Sequence, residues 1–212
     1  MKSSIALCTY NGEKYISEQL QSLFSQTRVP DEIILSDDGS FDNTLEIAEK
    51  LLKQSKNPYK IYKQNPSLGV YKNFEFAMKA CSNDIIFPCD QDDVWKNTKC
   101  EKHLKLHETR IDKVLVYSNA DVVLNTPNHY LYPLWEPKLI GNGQYASKYN
   151  LLNLGKSIAG CCMSIEKEFF HSILPIPNEI YHDDWCATSS SLIDGIIGIP
   201  ESLIYYRQHG GN

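Results

Sequence analysis

The chain has 212 residues, a length that suits one domain with a full-sized core. Hydrophobic residues make up 42% and charged residues 22%, the ordinary balance of a globular protein. The formal net charge of −5 argues against nucleic acid as the main partner, because the sequence has no basic stripe to neutralise phosphates. A bound nucleotide would therefore need a metal ion or backbone amides to offset its charge. No apolar run approaches the roughly 20 residues of a membrane span.

Seven cysteines are scattered along the chain, and none of them shows a Cys-x-x-Cys spacing. Cys8, Cys81 and Cys89 fall inside apolar stretches, where a free thiol behaves as a small hydrophobic group. This pattern argues against a disulfide framework or a zinc site, and it favours a reducing, cytoplasmic environment.

Strand and helix patterns alternate through the first half of the chain. Short apolar runs predict five strands, at residues 4–10, 32–36, 59–62, 84–89 and 114–118. Apolar residues at helical spacing predict three helices between the first four strands, carried by Ile16–Phe24, Leu45–Leu52 and Phe74–Cys81. The alternation predicts βαβ units, and hence an α/β fold with a mostly parallel central sheet flanked by helices.

The periodicity weakens after about residue 125. Prolines, asparagines, glycines and aromatic residues dominate positions 126–150, which predicts a long irregular region near a binding surface. Later patterns predict a strand at 158–165, helices at 166–173 and 185–192, and one or two strands within 196–206. No internal repeat or linker divides the sequence, so we expect a single domain.

Three acids crowd the point where the fourth predicted strand ends. Asp90, Asp92 and Asp93 follow an apolar run directly. Like charges this close repel one another, and a fold tolerates them most easily when a cation lies between them. Carboxylate oxygens favour a hard divalent cation, whereas the alternative is a solvated acidic turn.

Polar clusters follow three of the predicted strands. They are Thr9-Tyr10-Asn11-Gly12, Ser36-Asp37-Asp38-Gly39-Ser40 and Asp90-Gln91-Asp92-Asp93. Ligands of open α/β sheets bind at the carboxyl ends of the strands, and parallel strands would bring these clusters to one edge. There Asp38 would accept hydrogen bonds from a ligand, unless it only shapes the turn before the next helix. Thr9 either caps its strand or contacts the ligand, and the Asp90-x-Asp92 spacing suits a metal held against a diphosphate.

These clusters belong to an ordered series of motifs that extends through the chain. The series continues with Asn65-x-x-x-Gly69-x-x-x-Asn73, His182-Asp183-Asp184-Trp185 and Tyr206-Arg207-Gln208-His209. In this order the motifs resemble the inverting family-two glycosyltransferases, which have a GT-A-type fold that binds nucleotide-diphospho-sugars. The last motifs are most similar to the bacterial branch that contains rhamnosyltransferases of surface-polysaccharide assembly. The resemblance covers essentially the whole chain, and the ordered set is more specific than any single motif.

The resemblance implies a role for each matching residue. Asp92 would bind the metal, Mn²⁺ or Mg²⁺, with Asp90 close to the ribose or the metal and His209 close to the diphosphate or the metal. Asp183 or Asp184 would be the catalytic base that takes a proton from the acceptor hydroxyl, and we favour Asp183. The nucleotide-binding positions implied by the match are Thr9, Tyr10, Asn11, Asp38, Asn65, Gly69, Asn73, Asp90 and Arg207.

On this resemblance we expect a metal-dependent inverting glycosyltransferase of bacterial surface-polysaccharide synthesis. The donor would be a UDP- or dTDP-sugar, with dTDP-rhamnose suggested by the bacterial branch, and the acceptor a saccharide or a lipid-linked saccharide. Residues 1–125 would form the nucleotide-binding half, and residues 126–212 the acceptor side with the catalytic base. We also expect a longer natural chain, whose part beyond Asn212 would contact either the inner face of the cell membrane or a partner.

Three alternative functions stay open. A sugar-phosphate nucleotidyltransferase would be expected to begin with a glycine-rich, arginine-containing phosphate loop, and the first cluster is not such a loop. A phosphatase with an aspartyl nucleophile would need Asp-x-Asp-Gly-Ser, but Ser36 stands at the position of the first acid. The third alternative is a nucleotide-sugar-binding module without catalysis, which only a turnover measurement separates from the enzyme.

Overall fold

The computed structural model describes residues 1–136 and 158–209, and one sheet runs through both parts. Its first strands are parallel: β1 (Ser3–Thr9) lies between β2 (Glu32–Asp37) and β4 (Ile85–Cys89). Every residue of these strands is buried, as their nearly continuous apolar runs require. The outer parallel strand and the connecting helices are β3 (Tyr59–Lys63), α1 (Ile16–Phe24), α2 (Thr44–Gln54) and α3 (Val70–Ala80).

The second part of the sheet is mixed. β8 (Met163–Glu166) is antiparallel to both β4 and β6 (Leu115–Leu124) and lies between them. β9 (Ile196–Gln208) runs parallel to β6 and antiparallel to β5 (Val94–Trp95). β7 (Tyr130–Pro133) is antiparallel to the end of β6, at Asp121–Val123. The strand order is β3-β2-β1-β4-β8-β6-β9-β5 with β7 as a side branch. The predicted α/β fold with a central sheet and flanking helices is confirmed, and the parallel pairing is interrupted where β8 inserts.

The remaining helices carry much of the functional site. They are α4 (Lys99–Thr109), a 3₁₀ turn (Gly160–Cys162), α5 (Lys167–Ser172) and α6 (His182–Leu192). The sequence patterns predict α5 and α6 but leave residues 99–109 without an element. The buried face of α4 includes Lys99, His103 and His107, and these polar side chains conceal its helical period.

The region from 126 to 150, predicted to be irregular, lies partly outside the described residues, because 137–157 are not described. Within the described part the prediction is wrong at Tyr130–Pro133, which forms β7. Three consecutive residues, Tyr130, Leu131 and Tyr132, are exposed. The strand therefore lacks the alternation of buried and exposed positions by which a strand is recognised in a sequence.

One cluster of buried apolar side chains joins both parts of the sheet, from Leu20 of α1 to Met163 of β8. The seven cysteines are buried free thiols. Within residues 1–136 and 158–209, no helix has the length and apolarity that a membrane span requires.

Candidate functional site

The carboxyl ends of β1, β2 and β4 meet at one edge of the sheet and open into a cavity. Thr9 and Asp37 are register partners at the ends of β1 and β2, and Leu7 pairs with Cys89 of β4. The polar residues that follow these strands therefore surround a common space of about 190 Å³, the first cavity. It is lined by Cys8, Thr9, Tyr10, Asp38, Val70, Asn73, Phe74, Asp90, Gln91 and Asp92.

A second cavity of about 580 Å³ adjoins the first and shares Tyr10, Gln91 and Asp92 with it. The turn after β1 and the side chain of His209 border it. Sequence reasoning missed three of its lining residues, which carry no motif of their own: Glu13, Lys14 and Tyr15. Asp42 also lines it, and the sequence placed that residue only in the motif that follows the second strand. The available signal was that Glu13 and Lys14 continue the Thr9–Gly12 motif without joining the apolar stripe of α1.

Asp37 organises the end of β2 and holds it to β1. The Thr9 hydroxyl donates to Asp37 Oδ2 at 2.8 Å, and the Ser40 hydroxyl donates to the same oxygen at 2.6 Å. The backbone N–H of Ser40 donates to Asp37 Oδ1 at 2.8 Å. The Thr9 hydroxyl is therefore engaged in the fold although the residue lines the first cavity. Sequence reasoning placed the weight on Asp38 and missed this role of Asp37.

Asp38 lines the first cavity and also anchors the loop before α3. Its carboxylate accepts hydrogen bonds from the Leu68 N–H at 2.7 Å, the Gly69 N–H at 3.0 Å and the Ser67 hydroxyl at 2.7 Å. Gly69 has a φ of 78°, which favours glycine at the turn into α3. Asn65, predicted to bind nucleotide, is exposed and is not among the residues that line either cavity.

Asn73 holds α3 to β2 through a reciprocal pair of hydrogen bonds. The Ser36 hydroxyl donates to Asn73 Oδ1 at 2.6 Å, and Asn73 Nδ2 donates to the Ser36 carbonyl at 3.0 Å. Asn73 is buried and contributes one wall of the first cavity. Its side chain therefore shapes the cavity through the position of α3.

Gln91 ties the acidic loop to the end of β1. The Tyr10 N–H donates to Gln91 Oε1 at 2.9 Å, and Gln91 Nε2 donates to the Tyr10 carbonyl at 2.9 Å. Next to it, Asn11 has a φ of 49° and donates its N–H to the Ser40 hydroxyl at 2.9 Å. The three polar clusters are thus hydrogen-bonded to one another around the first cavity.

The acids after β4 occupy different depths. Asp90 and Asp92 line the first cavity, whereas Asp93 lies beneath them and is 1% exposed. Burial and the charges of Asp93 and Asp92 raise the pKa of Asp90 well above its usual range. Burial and the charge of Asp92 raise the pKa of Asp93 to about 7. Within the described residues, Asp93 Oδ2 is buried without an N–H or O–H partner, and the weakly donating thiol of Cys161 lies beside it.

Lys99 supplies one buried positive charge near these acids. It lies at the start of α4, is fully buried, and donates from Nζ to the Cys161 carbonyl at 2.6 Å. Nζ also lies 3.3 Å from the centre of the Trp95 ring, a cation–π contact. Burial lowers the pKa of Lys99, while its charge opposes the upward shift of the pKa of Asp90 and Asp93. The carboxylates outnumber this cation.

The donor atoms around the acidic loop fit a hard divalent cation. Ligand atoms of Asp90, Asp93 and Cys161 lie within 4.8 Å of one another, and Asp92 Oδ2 lies 2.8 Å from His209 Nε2. Contact with Cys162 and burial raise the pKa of the Cys161 thiol well above its usual range, so the thiol stays protonated and is a poor ligand. Carboxylate oxygens, with an imidazole at the edge, are the donor set that Mg²⁺ and Mn²⁺ accept.

Asp183 approaches the same region from the start of α6. Its Oδ2 accepts a hydrogen bond from the Gly160 N–H at 3.1 Å, and its Oδ1 accepts one from the Asp184 N–H at 2.9 Å. Burial raises the pKa of Asp183 to about 6, a value that suits a general base near neutral pH. The charge of Asp183 also contributes to the raised pKa of Asp90, so the two carboxylates interact.

His182 packs behind the predicted base. Its ring stacks on Phe74 with centroids 3.9 Å apart, and burial lowers its pKa to about 3, so it stays neutral. A Cβ at Gly160 would overlap the His182 ring, so only glycine fits in this turn. Gly160 therefore permits both the packing of His182 and the hydrogen bond to Asp183.

Arg207, which the sequence predicted to bind the nucleotide, instead forms hydrogen bonds and an ion pair within the fold. It is 3% exposed, and its Nε donates to the Asp92 carbonyl at 2.6 Å. Its Nη2 pairs with Glu18 at 2.5 Å, and its Nη1 donates to the Asn125 carbonyl. The guanidinium thus holds the acidic loop from behind and lines neither cavity. His209, two residues on, does border the second cavity, where it stacks on Tyr15 with centroids 4.6 Å apart.

Comparison with known sequences matches the profile of glycosyl transferase family 2 to residues 4–174. An uncharacterized glycosyltransferase of Nostoc sp. is 28% identical, over 100% of this chain and 66% of that protein. The dTDP-rhamnosyl transferase RfbG of Shigella flexneri is 31% identical, over 76% of this chain and 54% of that protein. The match thus covers between about half and two thirds of the length of these curated relatives.

Comparison with solved structures gives similar folds at low identity. S. aureus TarS 1–349, solved in complex with UDP-GlcNAc, has a TM-score of 0.75 at 22% identity, covering 100% of this chain and 60% of that chain. The mannosyltransferase PcManGT from Pyrobaculum calidifontis, solved with GDP-Man and Mn²⁺, has a TM-score of 0.74 at 15% identity, covering 96% and 56%. At such identities the likeness concerns the fold, and it confirms the expected GT-A-type architecture.

Proposed function

Because the chain belongs to glycosyl transferase family 2, we propose that it transfers a sugar from a nucleotide diphosphate donor to an acceptor hydroxyl with inversion. One observation carries the proposal. The first cavity gathers Asp38, Asp90 and Asp92 at the strand ends, and Asp183, a half-buried carboxylate with a pKa of about 6, interacts with Asp90. A carboxylate with this pKa is mostly ionised at neutral pH, as a base must be.

The donor would lie along the two cavities. In this proposal the nucleoside occupies the first cavity beside Tyr10 and Asp38, and the diphosphate lies toward Asp92, Lys14 and His209 in the second. Lys14 is exposed there and would add a positive charge that the sequence motifs do not include. A dTDP- or UDP-sugar is the proposed donor. The named activity of RfbG supports dTDP-rhamnose, and the UDP-GlcNAc complex of TarS supports a UDP-sugar.

Asp90, Asp92 and His209 would hold the metal ion, with Asp93 beneath them. When bound there, Mn²⁺ or Mg²⁺ would supply the positive charge that stabilises a departing diphosphate. The support is the crowding of carboxylates, whose raised pKa values the charge of Lys99 opposes only in part, together with the Mn²⁺ in the PcManGT structure.

The chain's own residues would carry the proton transfer. Asp183 takes the proton of the acceptor hydroxyl as that oxygen attacks the anomeric carbon, and the electron pair of the breaking bond leaves with the diphosphate. One displacement of this kind inverts the anomeric centre. We assign the base to Asp183 rather than Asp184, because the Gly160 N–H orients its carboxylate and burial tunes its pKa.

The proposed setting is bacterial surface-polysaccharide synthesis on a saccharide or lipid-linked saccharide acceptor, at the cytoplasmic face of the membrane. Seven buried free thiols suit a reducing compartment. Residues 1–125 would bind the nucleotide, and residues 126–212 would supply the acceptor side and the base.

A donor panel tests the proposal. Thermal unfolding is followed with UDP-, dTDP- and GDP-sugars, with and without Mn²⁺, and nucleoside diphosphate release is then measured on the donors that stabilise the protein. We expect donors with one particular nucleobase to stabilise the protein against thermal unfolding, and this stabilisation to require the metal. Asp92→Asn should abolish the metal dependence. The exposed Asp112→Asn is the matched control. The absence of any donor effect would contradict the proposal, and stabilisation without release on any acceptor would favour a binding module.

A further inference from the structure

Two aromatic pairs join α3 to the start of α6. Phe74 stacks on His182 with ring centroids 3.9 Å apart and planes at 14°. Tyr71 lies against Tyr181 with centroids 4.5 Å apart and planes at 41°. Tyr71 and Phe74 are three residues apart on α3 and so share one face of the helix. We call these four residues the aromatic row.

The aromatic row runs from the donor cavity to the protein surface. At its inner end, Phe74 lines the first cavity. At its outer end, Tyr181 is 46% exposed and stands two residues before Asp183. A partly exposed aromatic side chain therefore stands at the start of α6, two residues before the proposed base.

The outer end is held in place by its supports. Lys72 Nζ donates to the Ile176 carbonyl at 3.3 Å, which ties the loop before α6 to α3. Trp185 Nε1 donates to the Ile173 carbonyl at 2.8 Å, which fixes the same loop from the other end. Tyr181 thus lies between an anchored loop and the first residue of α6. Little conformational freedom would therefore be lost when a ligand packs against it.

We propose that the Tyr71–Tyr181 pair binds one neutral sugar ring of the acceptor and so presents a hydroxyl of that sugar to Asp183. This inference rests on the proposed glycosyl transfer. A pyranose has an apolar face of C–H groups and a rim of hydroxyls. A tyrosine matches both, because its ring is flat and apolar and its edge carries a hydroxyl.

The charge near the pair favours a neutral sugar over an anionic one. The hydrogen bond with Tyr181 and, in smaller measure, the charge of Glu179 raise the pKa of Tyr71. Glu179 is exposed beside the pair and would repel a carboxylate on the acceptor ring.

Saturation-transfer NMR tests this site without requiring turnover. The probes are the methyl glycosides of glucose, rhamnose and N-acetylglucosamine, methyl glucuronide as the anionic ring, and glycerol as a polyol without a ring. Each is added with Mg²⁺, which is diamagnetic, and either UDP or dTDP. We expect saturation on the ring C–H protons of at least one neutral glycoside, with little on the glucuronide or glycerol. Tyr181→Ala should reduce that signal about tenfold, while Tyr181→Phe should retain most of it.

Tyr130→Ala is the matched control, because Tyr130 is 54% exposed and lines neither cavity. The nucleotide-induced thermal shift of each variant shows whether it is folded. A Tyr181→Ala signal within twofold of wild type overturns the proposal, as does a loss in Tyr181→Phe as large as that in Tyr181→Ala. A wild type that nucleotides stabilise but that gives no signal with any glycoside overturns it too. The failure of every donor to stabilise the wild type would instead contradict glycosyl transfer itself.

Discussion

The two sides of the site use carboxylates in opposite ways. On the side of β2, Asp37 and Asp38 accept hydrogen bonds from nearby N–H and O–H groups, so their charge stabilises the local fold. On the side of β4, Asp90 and Asp93 are crowded and poorly solvated, which raises the pKa of both. The comparison teaches that the carboxylate charges on the β2 side are already stabilised by hydrogen bonds within the fold. The carboxylates on the β4 side repel one another, and a bound cation would relieve that repulsion.

The largest effect is expected for the base. Asp183→Asn keeps the hydrogen bond from Gly160 but cannot accept the proton, so transfer to the acceptor should fall by about 10²–10⁴-fold. In the wild type the rate should drop about tenfold per pH unit below about 6, because protonated Asp183 is inactive. The rate of nucleoside diphosphate release across pH 5–8 measures both. Equal losses in Asp183→Asn and Asp184→Asn would leave the assignment unsupported.

The β2 side should respond to the loss of charge by unfolding more easily. In Asp38→Asn, one of the oxygens that receives the Leu68, Gly69 and Ser67 donors becomes an NH₂ group. We expect the free energy of unfolding to fall by about 1–3 kcal/mol. Urea unfolding of the metal-free protein measures the change. An unchanged midpoint would show that the loop is held by other contacts.

The β4 side should respond in the opposite direction. Asp93→Asn retains an oxygen for the Arg207 N–H, while its NH₂ replaces the buried Oδ2 that lies near Asp90 and the Cys161 thiol. We expect the metal-free protein to gain about 1 kcal/mol of stability, since a buried charge is removed. The same urea experiment shows the sign. A loss as large as that in Asp38→Asn would remove the contrast between the two sides.

The last expected effect is the pH dependence of that gain. The pKa of Asp93 is raised to about 7 in the folded chain, so its contribution to stability is complete below its ordinary pKa and is lost as pH rises through about 7. The advantage of Asp93→Asn over wild type should therefore increase between pH 5 and pH 8. Comparing the two proteins cancels groups that titrate identically in both. Added Mn²⁺ should reduce the advantage, because the ion would offset the charge of Asp93 in the wild type, and a pH-independent difference would contradict the raised pKa.

The parallel strands and their polar ends were predictable because the signals are local. An apolar run followed by Thr9, Asp38 or Asp90 indicates both a strand and its carboxyl end. Helix α4 was not predictable in this way, since Lys99, His103 and His107 are buried by contacts that arise only in the fold. A pattern of apolar and polar residues would place these three polar side chains on the exposed face of a helix.

The roles of individual polar residues depended on partners far away in the chain. Cys161 lies next to Asp90 and Asp93, although about 70 residues separate them in sequence. Arg207 is turned inward by Glu18, Asn125 and the acidic loop, and no local pattern announces those contacts. The order of motifs indicated the family. Which polar side chains form hydrogen bonds within the fold, and which face the cavities, could be learned only from the three-dimensional structure.

The Gly160–Cys162 turn has a mechanical consequence. The Gly160 N–H donates to Asp183 of α6, and the Cys161 carbonyl accepts a hydrogen bond from Lys99 of α4. The Cys161 thiol lies within 4.8 Å of ligand atoms of Asp90 and Asp93, the acids after β4. Three separate elements therefore share one short support, and displacing any one of them would strain the other two. We expect the floor of the site to behave as a rigid block. Any widening that lets substrates enter or products leave would then come from the exposed rim at Tyr10 and Val70.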